Sequence, residues 1–149
     1  DLHGYFIEDL EVGMSDRFGK TVTEADVANF AGVSGDTNPV HVNEAFAKET
    51  LFKGRIAHGM LAASFISTVL GTRLPGPGAI YMGQSLSFKA PVKIGDTVIA
   101  KVTVTEVDRE KRRIKVETTC TVGDNVVVEG EAKLMVNSRA QFAGSGQNG

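Results

Sequence analysis

The sequence predicts an α+β fold in which an antiparallel β-sheet wraps around one central, buried helix. The stretch from Gly59 to Leu70 carries no charge, and a helix that is apolar or small on nearly every side is normally buried. Four segments rich in Val, Ile, Thr and Phe follow it, with the period-two alternation typical of strands. One shorter strand precedes it, at Ser15 to Thr21. A barrel closed around a plug helix would use the same elements and is the alternative.

The first part of the chain is predicted to hold an irregular lead-in over residues 1–14, the short strand and then a helix. That helix begins after Thr23, because Thr23 and Asp26 have the spacing of a capping box and acidic residues fill the first turn. Either Gly32 or Gly35 can end it. Its buried face is predicted to comprise Val27, Phe30 and Ala31.

Two further helices are predicted before the sheet continues. Asn43 can cap a short helix over residues 44–48, and the central helix follows within Ile56 to Gly71. At about 1.5 Å of rise per residue, its uncharged stretch spans roughly 18 Å, close to the width of a small sheet. The Leu-Pro-Gly-Pro-Gly run over residues 74–78 is then the strongest break in the chain.

The second half is predicted to form four long strands, at Ala79 to Phe88, Thr97 to Asp108, Arg113 to Val122 and Val126 to Val136. The connections at residues 93–96, 109–112 and 123–125 carry Gly, Asp, Asn or charges that suit tight turns between antiparallel neighbours. Residues 1–138 are therefore expected to form a single domain. Residues 139–149 are predicted to be a flexible tail, because their Gly, Ser, Gln and Asn have little to bury.

Composition narrows the class of protein. A chain of 149 residues with 42% hydrophobic and 23% charged residues fits one globular domain with a substantial core. The net charge of -2, without a basic tract, argues against nucleic acid as a partner, and the lack of a long apolar run argues against a membrane span. The single cysteine, Cys120, is expected to pack as a small apolar residue, consistent with the cytoplasm. The sequence begins at Asp1 rather than Met, which leaves open whether a leader was removed.

Chemistry is concentrated in the loop from Phe30 to His41, where Asp36, Asn38 and His41 fall within six residues. An Asp or Asn in a turn often only caps its own backbone, and a lone histidine is often structural. Pro39, however, biases Asn38 toward an extended conformation, so the chain can curve and present Asp36 and His41 toward a common point. A carboxylate and an imidazole that converge on one water can take its proton and return one.

A second candidate site is His58-Gly59, at the entrance to the central helix. The first N-H groups of a helix lack internal partners, and a glycine there lets a ligand oxygen approach the backbone. A thioester carbonyl that turns into an enolate would suit this position. The alternatives are that Gly59 only allows close packing onto the sheet, and that His58 is structural and caps or bonds the loop.

The loop sequence SGDTNPVH, at Ser34 to His41, resembles the signature of the MaoC-like (R)-specific enoyl-CoA hydratases, which have the hot-dog fold. The resemblance covers nearly the whole chain and includes Tyr5-Phe6, Asp9-Leu10, the AHGM of residues 57–60 and the QSLSF of residues 84–88. It implies that Asp36 and His41 activate a water and that the Gly59 N-H receives the thioester oxygen. It further implies support from Ser34, Asn38 and His58, and substrate contacts from Ala62, Ala63 and Met82.

The resemblance implies a hydro-lyase that adds water reversibly and syn to a trans-2-enoyl-CoA and gives an (R)-3-hydroxyacyl-CoA, without metal or other cofactor. Hot-dog thioesterases and acyl-carrier-protein dehydratases typically place a carboxylate on the central helix, and Gly59 to Leu70 has none. A non-catalytic acyl-CoA binding module would lack Asp36 or His41. The resemblance also implies a homodimer, with higher assemblies open. The sequence leaves open the acyl chain length and the pathway, whether fatty-acid degradation, supply of polyhydroxyalkanoate precursors or a branch that uses dicarboxylic acyl-CoA.

Several lysines and arginines lie where they could meet the phosphates of CoA. Acidic residues are interleaved with them, so a solvated face of a hairpin is the preferred interpretation. These cations are Lys89, Lys93, Lys101, Arg109, Lys111, Arg112, Arg113 and Lys115.

Overall fold

The computed structural model describes residues 2–142 and confirms the α+β class: five antiparallel strands form one sheet around a central helix. The strands are β1 (Ser15–Thr21), β2 (Ile80–Phe88), β3 (Thr97–Asp108), β4 (Arg113–Val122) and β5 (Asn125–Met135). The helices are α1 (Glu24–Ser34), α2 (Pro39–Val42), α3 (Glu44–Ala47) and α4 (Gly59–Thr72), after a 3-10 turn at Ile7–Asp9. Among the described residues, no helix is long and apolar enough to cross a membrane.

The strand order β1-β3-β4-β5-β2 leaves the sheet open, with β1 and β2 at its edges. The turns predicted at residues 109–112 and 123–125 do join neighbours, β3 to β4 and β4 to β5. The prediction that residues 93–96 also join neighbours is wrong, because β2 pairs with β5 instead of β3. The local turn exists, because the Asp96 amide donates to the Lys93 carbonyl at 3.0 Å and the Lys93 amide donates to Asp96 Oδ2 at 2.9 Å. It lies, however, within a longer crossing connection. Turn chemistry fixes a bend and does not decide which strands pair.

The central helix α4 packs its larger side chains against the sheet. Leu61, Phe65, Ile66, Val69 and Leu70 are buried on it, as are the inward residues of β3 and β4, which alternate with outward ones. The expectation of burial on nearly every side needs one correction, since a narrow face stays exposed. It consists of Met60, Ser64, Ser67 and Gly71.

Helix α1 starts and ends by local chemistry, and this sets where the polar loop begins. The Thr23 side chain accepts from the Asp26 amide at 3.1 Å, and the Asp26 carboxylate accepts from the Thr23 amide at 2.9 Å, as the capping box predicts. Of the two candidate stops, Gly35 is the one used, because it adopts the left-handed φ of 79° at the C-cap. Phe30, predicted to be buried, is only partly so.

The start of the predicted tail packs on the N-terminal segment. Residues 139–142 form a helical turn, in which Arg139 pairs with Asp9 at 2.7 Å. The Phe142 ring lies 4.5 Å from that of His3 and 5.7 Å from that of Phe6. Residues 139–142 therefore contact the rest of the chain, and the remainder of the predicted tail lies outside the described residues.

Candidate active site

The loop between α1 and α2 is held by a chain of side-chain to backbone hydrogen bonds. Ser34 Oγ donates to the Phe30 carbonyl at 2.6 Å and accepts from the Asp36 amide at 3.1 Å. Asp36 Oδ1 accepts from the Asn38 amide at 3.2 Å, and Asn38 Oδ1 accepts from the Val40 amide at 3.1 Å. Ser34 and Asn38 therefore shape the turn, and Asp36, which is exposed, keeps Oδ2 outside this chain of bonds.

His41 lies on α2, a helical turn that is too short for its four residues to show a period in the sequence. Its Nδ1 is 2.8 Å from the Ile56 carbonyl oxygen. Because a carbonyl only accepts, Nδ1 carries the proton of the neutral ring and Nε2 has the free lone pair. Arg55 fixes the same residue from the other side, since its Nε donates to the His41 carbonyl at 2.7 Å. His41 is thus held as a base whose accepting nitrogen is Nε2.

His58 is almost completely buried, at 2% exposure, and contacts both residues of the predicted acid-base pair. Its Nε2 lies 2.9 Å from the Asp36 carbonyl oxygen, so Nε2 is the protonated nitrogen and donates. Its ring stacks on that of His41, with centroids 3.9 Å apart and planes 29° apart. The interpretation of His58 as a residue that bonds the loop agrees with this geometry.

Gly59 is the first residue of α4, so its N-H has no acceptor within the helix. The side chain of His58, at the N-cap, does not cap the helix. A Cβ added at Gly59 would lie 2.7 Å from a ring carbon of Phe88 on β2. Close packing is therefore a real constraint on this glycine, which also lines the cavity described next.

A cavity of about 480 Å³ joins the loop to the start of α4. Its polar side chains come from Asp36, His41, His58 and Lys89, and the rest of its wall is mostly apolar. Ala62, predicted as a substrate contact, is part of the wall. The full lining is Asp36, His41, Phe52, Ile56, Ala57, His58, Gly59, Met60, Ala62, Phe88, Lys89, Ala90, Pro91, Val92 and Val128.

Two of the predicted substrate contacts are not brought to this cavity by the described chain. Ala63 is buried in the core at 7% exposure. Met82 lies at an irregularity of β2, is half exposed, and contacts Arg113 beside a separate cavity of about 360 Å³. The geometry of α4 places Ala63 in the core, and the geometry of β2 places Met82 beside the other cavity.

Sequence reasoning missed most of the apolar wall. Phe88, Pro91 and Val92 belong to β2 and the connection after it, and Val128 belongs to β5. Phe88 ends the QSLSF run that carries part of the resemblance, but that run gave it no role at the site, and no motif marks the other three. All four reach the loop only through the pairing of β2 with β5. Lys89 was predicted on a solvated face, and it lines the cavity as well.

One oxygen or nitrogen each of Asp36, His41 and His58 lie within 4.8 Å of one another, a spacing compatible with a metal ion. A histidine nitrogen binds metal along the plane of its ring, at roughly 2.0–2.1 Å. The two rings are stacked and only 29° from parallel, so their planes do not meet at that distance from both nitrogens. The arrangement suits proton transfer better than chelation.

The fold and this site define the class of protein. Residues 10–126 match the family model of the MaoC like domain, and the chain therefore belongs to the MaoC-like family. The family resemblance implied this arrangement, a hot-dog fold in which the hydratase loop faces the start of the central helix.

Comparison with particular proteins narrows the class. The chain is 60% identical to the (R)-specific enoyl-CoA hydratase of Rhodospirillum rubrum, over 93% of this chain and 96% of the relative. It is 50% identical to the 3-hydroxybutyryl-CoA dehydratase of Methylorubrum extorquens, over 95% and 90% respectively. The solved (R)-hydratase from A. caviae, involved in PHA biosynthesis, superposes with a TM-score of 0.84 at 46% identity, covering 87% of this chain and 98% of that one.

Proposed function

We propose that this protein is an (R)-specific enoyl-CoA hydratase, a hydro-lyase that interconverts a trans-2-enoyl-CoA and an (R)-3-hydroxyacyl-CoA. One observation carries the proposal: Asp36, His41 and Gly59, the first residue of α4, line the same cavity. The relatives named above act in the same reaction class.

The chemistry uses one water between Asp36 and His41. His41 Nε2 or the Asp36 carboxylate takes a proton as the water oxygen bonds to C3 of the enoyl group. The C2–C3 π electrons move toward the thioester oxygen, and the enolate-like charge accepts a hydrogen bond from the Gly59 amide. A proton from the same pair then reaches C2 on the same face, which gives syn addition. Removing one such oxyanion donor typically costs about 10² to 10³ in kcat.

The apolar wall suits the acyl chain of the proposed substrate. The rings of Phe52 and Phe88 and the aliphatic side chains of Ile56 and Val128 remove water from the cavity beside the polar groups. Excluding water strengthens the hydrogen bond to the developing charge. Across α4, Gly59–Thr72 has no carboxylate, which argues against a thioesterase that uses an acid on this helix.

Homodimer formation through β2 is part of the proposal. β2 pairs with β5 on one side and forms an edge of the sheet on the other. Ile80 and Met82 on it are 53% and 51% exposed, and an exposed apolar edge favours pairing with another strand. Light scattering coupled to size exclusion measures the mass, and a monomer at micromolar concentration would contradict this part. We also place the protein in the cytoplasm, where the unpaired Cys120 stays reduced.

The reaction is tested with crotonyl-CoA as substrate. The absorbance of the conjugated enoyl thioester should fall, and chiral analysis should give (R)-3-hydroxybutyryl-CoA. An (S) product would contradict the proposed stereochemistry. Free CoA as the main product would instead support a thioesterase.

A further inference from the structure

We propose that His58 is a positioning residue, which ties the acid-base pair to the oxyanion site and does so as a neutral ring. This inference rests on the proposed function, since it assigns a role within the same site. His58 itself does not transfer a proton in this scheme.

Three contacts of one residue support the proposal. The Nε2-H of His58 holds the main-chain carbonyl of Asp36, the residue that bears the carboxylate, at 2.9 Å. The face of its ring lies against the ring of His41 at 3.9 Å, and Phe30 packs at 4.8 Å. Its backbone is the N-cap of α4, directly before Gly59. This one side chain thus contacts both members of the water-activating pair, and its residue directly precedes the oxyanion donor.

The unused nitrogen of this ring explains why it must stay neutral. His58 Nδ1 is buried without a hydrogen-bond partner among the described residues. Protonation would bury an N-H without an acceptor, and a buried donor left unpaired is unfavourable. The cation would also face His41, whose own ring gains positive charge when it takes a proton from water. A charged His58 would therefore oppose the catalytic step.

The titratable groups around the ring come from three elements. Asp36 of the loop and His41 of α2 contact it, and Lys89 after β2 lines the same cavity. Phe30 of α1 packs on it and carries no charge. Asp36 and His41 are the two contacts whose charge can change during the proposed reaction.

The unpartnered nitrogen also separates a positioning role from a purely structural one. A phenylalanine at this position would keep a ring between His41 and Phe30 and would remove the buried lone pair. If His58 only filled space, His58→Phe would be neutral or favourable for both stability and activity. A glutamine, in contrast, can place its amide nitrogen near the position of Nε2 and keep the donor to Asp36 without the ring.

The experiment compares kcat, KM and melting temperature of the parent with His58→Phe and His58→Gln over a range of pH. We expect His58→Phe to melt near the parent yet lose about 10- to 100-fold in kcat with little change in KM, as outer-shell orienting groups do. His58→Gln should recover part of that kcat, because its amide can donate to the Asp36 carbonyl, and its activity should extend to lower pH, because no second imidazole faces His41. A His58→Phe variant with parental kcat and pH profile would overturn the proposal, and so would a loss of kcat that only follows a loss of folded protein.

A second measurement does not depend on activity. The chain has three histidines, so ¹⁵N NMR of the imidazoles can be assigned with His41→Ala and His58→Phe. At neutral pH, His58 should carry its proton on Nε2 and His41 on Nδ1. A charged His58, or one protonated on Nδ1, would overturn the inference even if the hydratase assay succeeds. If the assay fails and these tautomers are found, the proposed function fails while the positioning geometry stands.

Discussion

At the scale of single residues, the site depends on which nitrogen of His41 is free. The sequence nominates Asp36 and His41 by type and spacing, and both line the cavity. It does not reveal the tautomer, because the group that fixes it is the backbone carbonyl of Ile56, fifteen residues further along. A backbone carbonyl has no sequence signature. The sequence could therefore predict that Asp36 and His41 come together, whereas the nitrogen of His41 that is left to accept a proton could not be predicted.

Replacing Asp36 by Asn or His41 by Ala should each lower kcat on crotonyl-CoA by about 10² to 10⁴-fold, the range for general acid-base groups. Each change removes a proton acceptor for the water and leaves the apolar wall in place. Steady-state kinetics measure the effect, with Asp124→Asn in the exposed β4–β5 turn as the matched control. Rates within a few-fold of the parent for both variants would mean that these residues only shape the loop.

Lys89 offers a residue-scale test of carrier recognition. Among the described residues that line the cavity, Lys89 is the one Lys or Arg. Its side chain is half exposed, and its Nζ pairs with the Glu129 carboxylate at 3.4 Å. A CoA phosphate near the mouth would compete with Glu129 for this cation. Lys89→Gln should therefore raise KM for crotonyl-CoA with kcat unchanged, by up to about five-fold, since an exposed ion pair contributes about 0.2–1 kcal/mol.

The Lys89 effect should weaken at high salt and vanish with a crotonyl thioester that lacks the nucleotide of CoA. Lys101→Gln is the control, because Lys101 is an exposed cation on β3 that does not line the cavity. An equal rise in KM for both thioesters would show that Lys89 acts on the shape of the cavity and not on the phosphates.

At the scale of elements, the four long strands lie within one residue of their predicted bounds, since alternation marks them directly. The place of β2 beside β5 was not predicted, because alternation tells which face a residue occupies and not which strand lies next to it. Gly130 on β5 was a sequence feature that could have indicated this pairing. A Cβ there would lie 1.7 Å from the Ser85 carbonyl oxygen of β2, and glycine within a strand often marks such a close approach.

The two glycines of α4 give opposite expectations for the same substitution. Gly59→Ala would press a methyl group against Phe88 at 2.7 Å, and overpacking of this kind costs about 1–3 kcal/mol of unfolding free energy. It should also lower kcat, since the first amide of the helix must shift with the strain. Gly71→Ala meets nothing within 4 Å and should stabilise by about 0.5–1 kcal/mol, because alanine favours the helix.

Urea denaturation of both variants measures these free energies. A double variant, Gly59→Ala with Phe88→Leu, separates the two causes, because the smaller side chain makes room for the methyl group. Recovered stability in the double variant would assign the cost to the contact with Phe88. Equal destabilisation by Gly59→Ala with and without Phe88→Leu would contradict the packing argument.

At the scale of the whole molecule, the buried thiol of Cys120 makes the stability of the fold depend on pH. This residue is fully buried on β4, and its Sγ-H donates to the Ala62 carbonyl of α4 at 3.4 Å. Burial raises the pKa of its thiol to about 12. An exposed thiol in the unfolded chain loses its proton near pH 8.5. The folded state thus keeps a proton that the unfolded state releases. The contribution is fully present below the unfolded pKa and is lost as pH rises toward the folded one.

The free energy of unfolding should therefore fall more steeply with pH in the parent than in Cys120→Ala. Between about pH 9 and 11 the two slopes should differ by up to about 1.4 kcal/mol per pH unit. Burial also raises the pKa of the Tyr81 phenol. Tyr81 and the lysines change the pH dependence of both proteins equally, so the difference in slope comes from Cys120. Removing the sulfur lowers stability by a constant amount through lost packing, which does not affect the slope. Urea denaturation at several pH values gives both curves, and parallel curves would mean that the thiol is accessible to solvent in the folded protein.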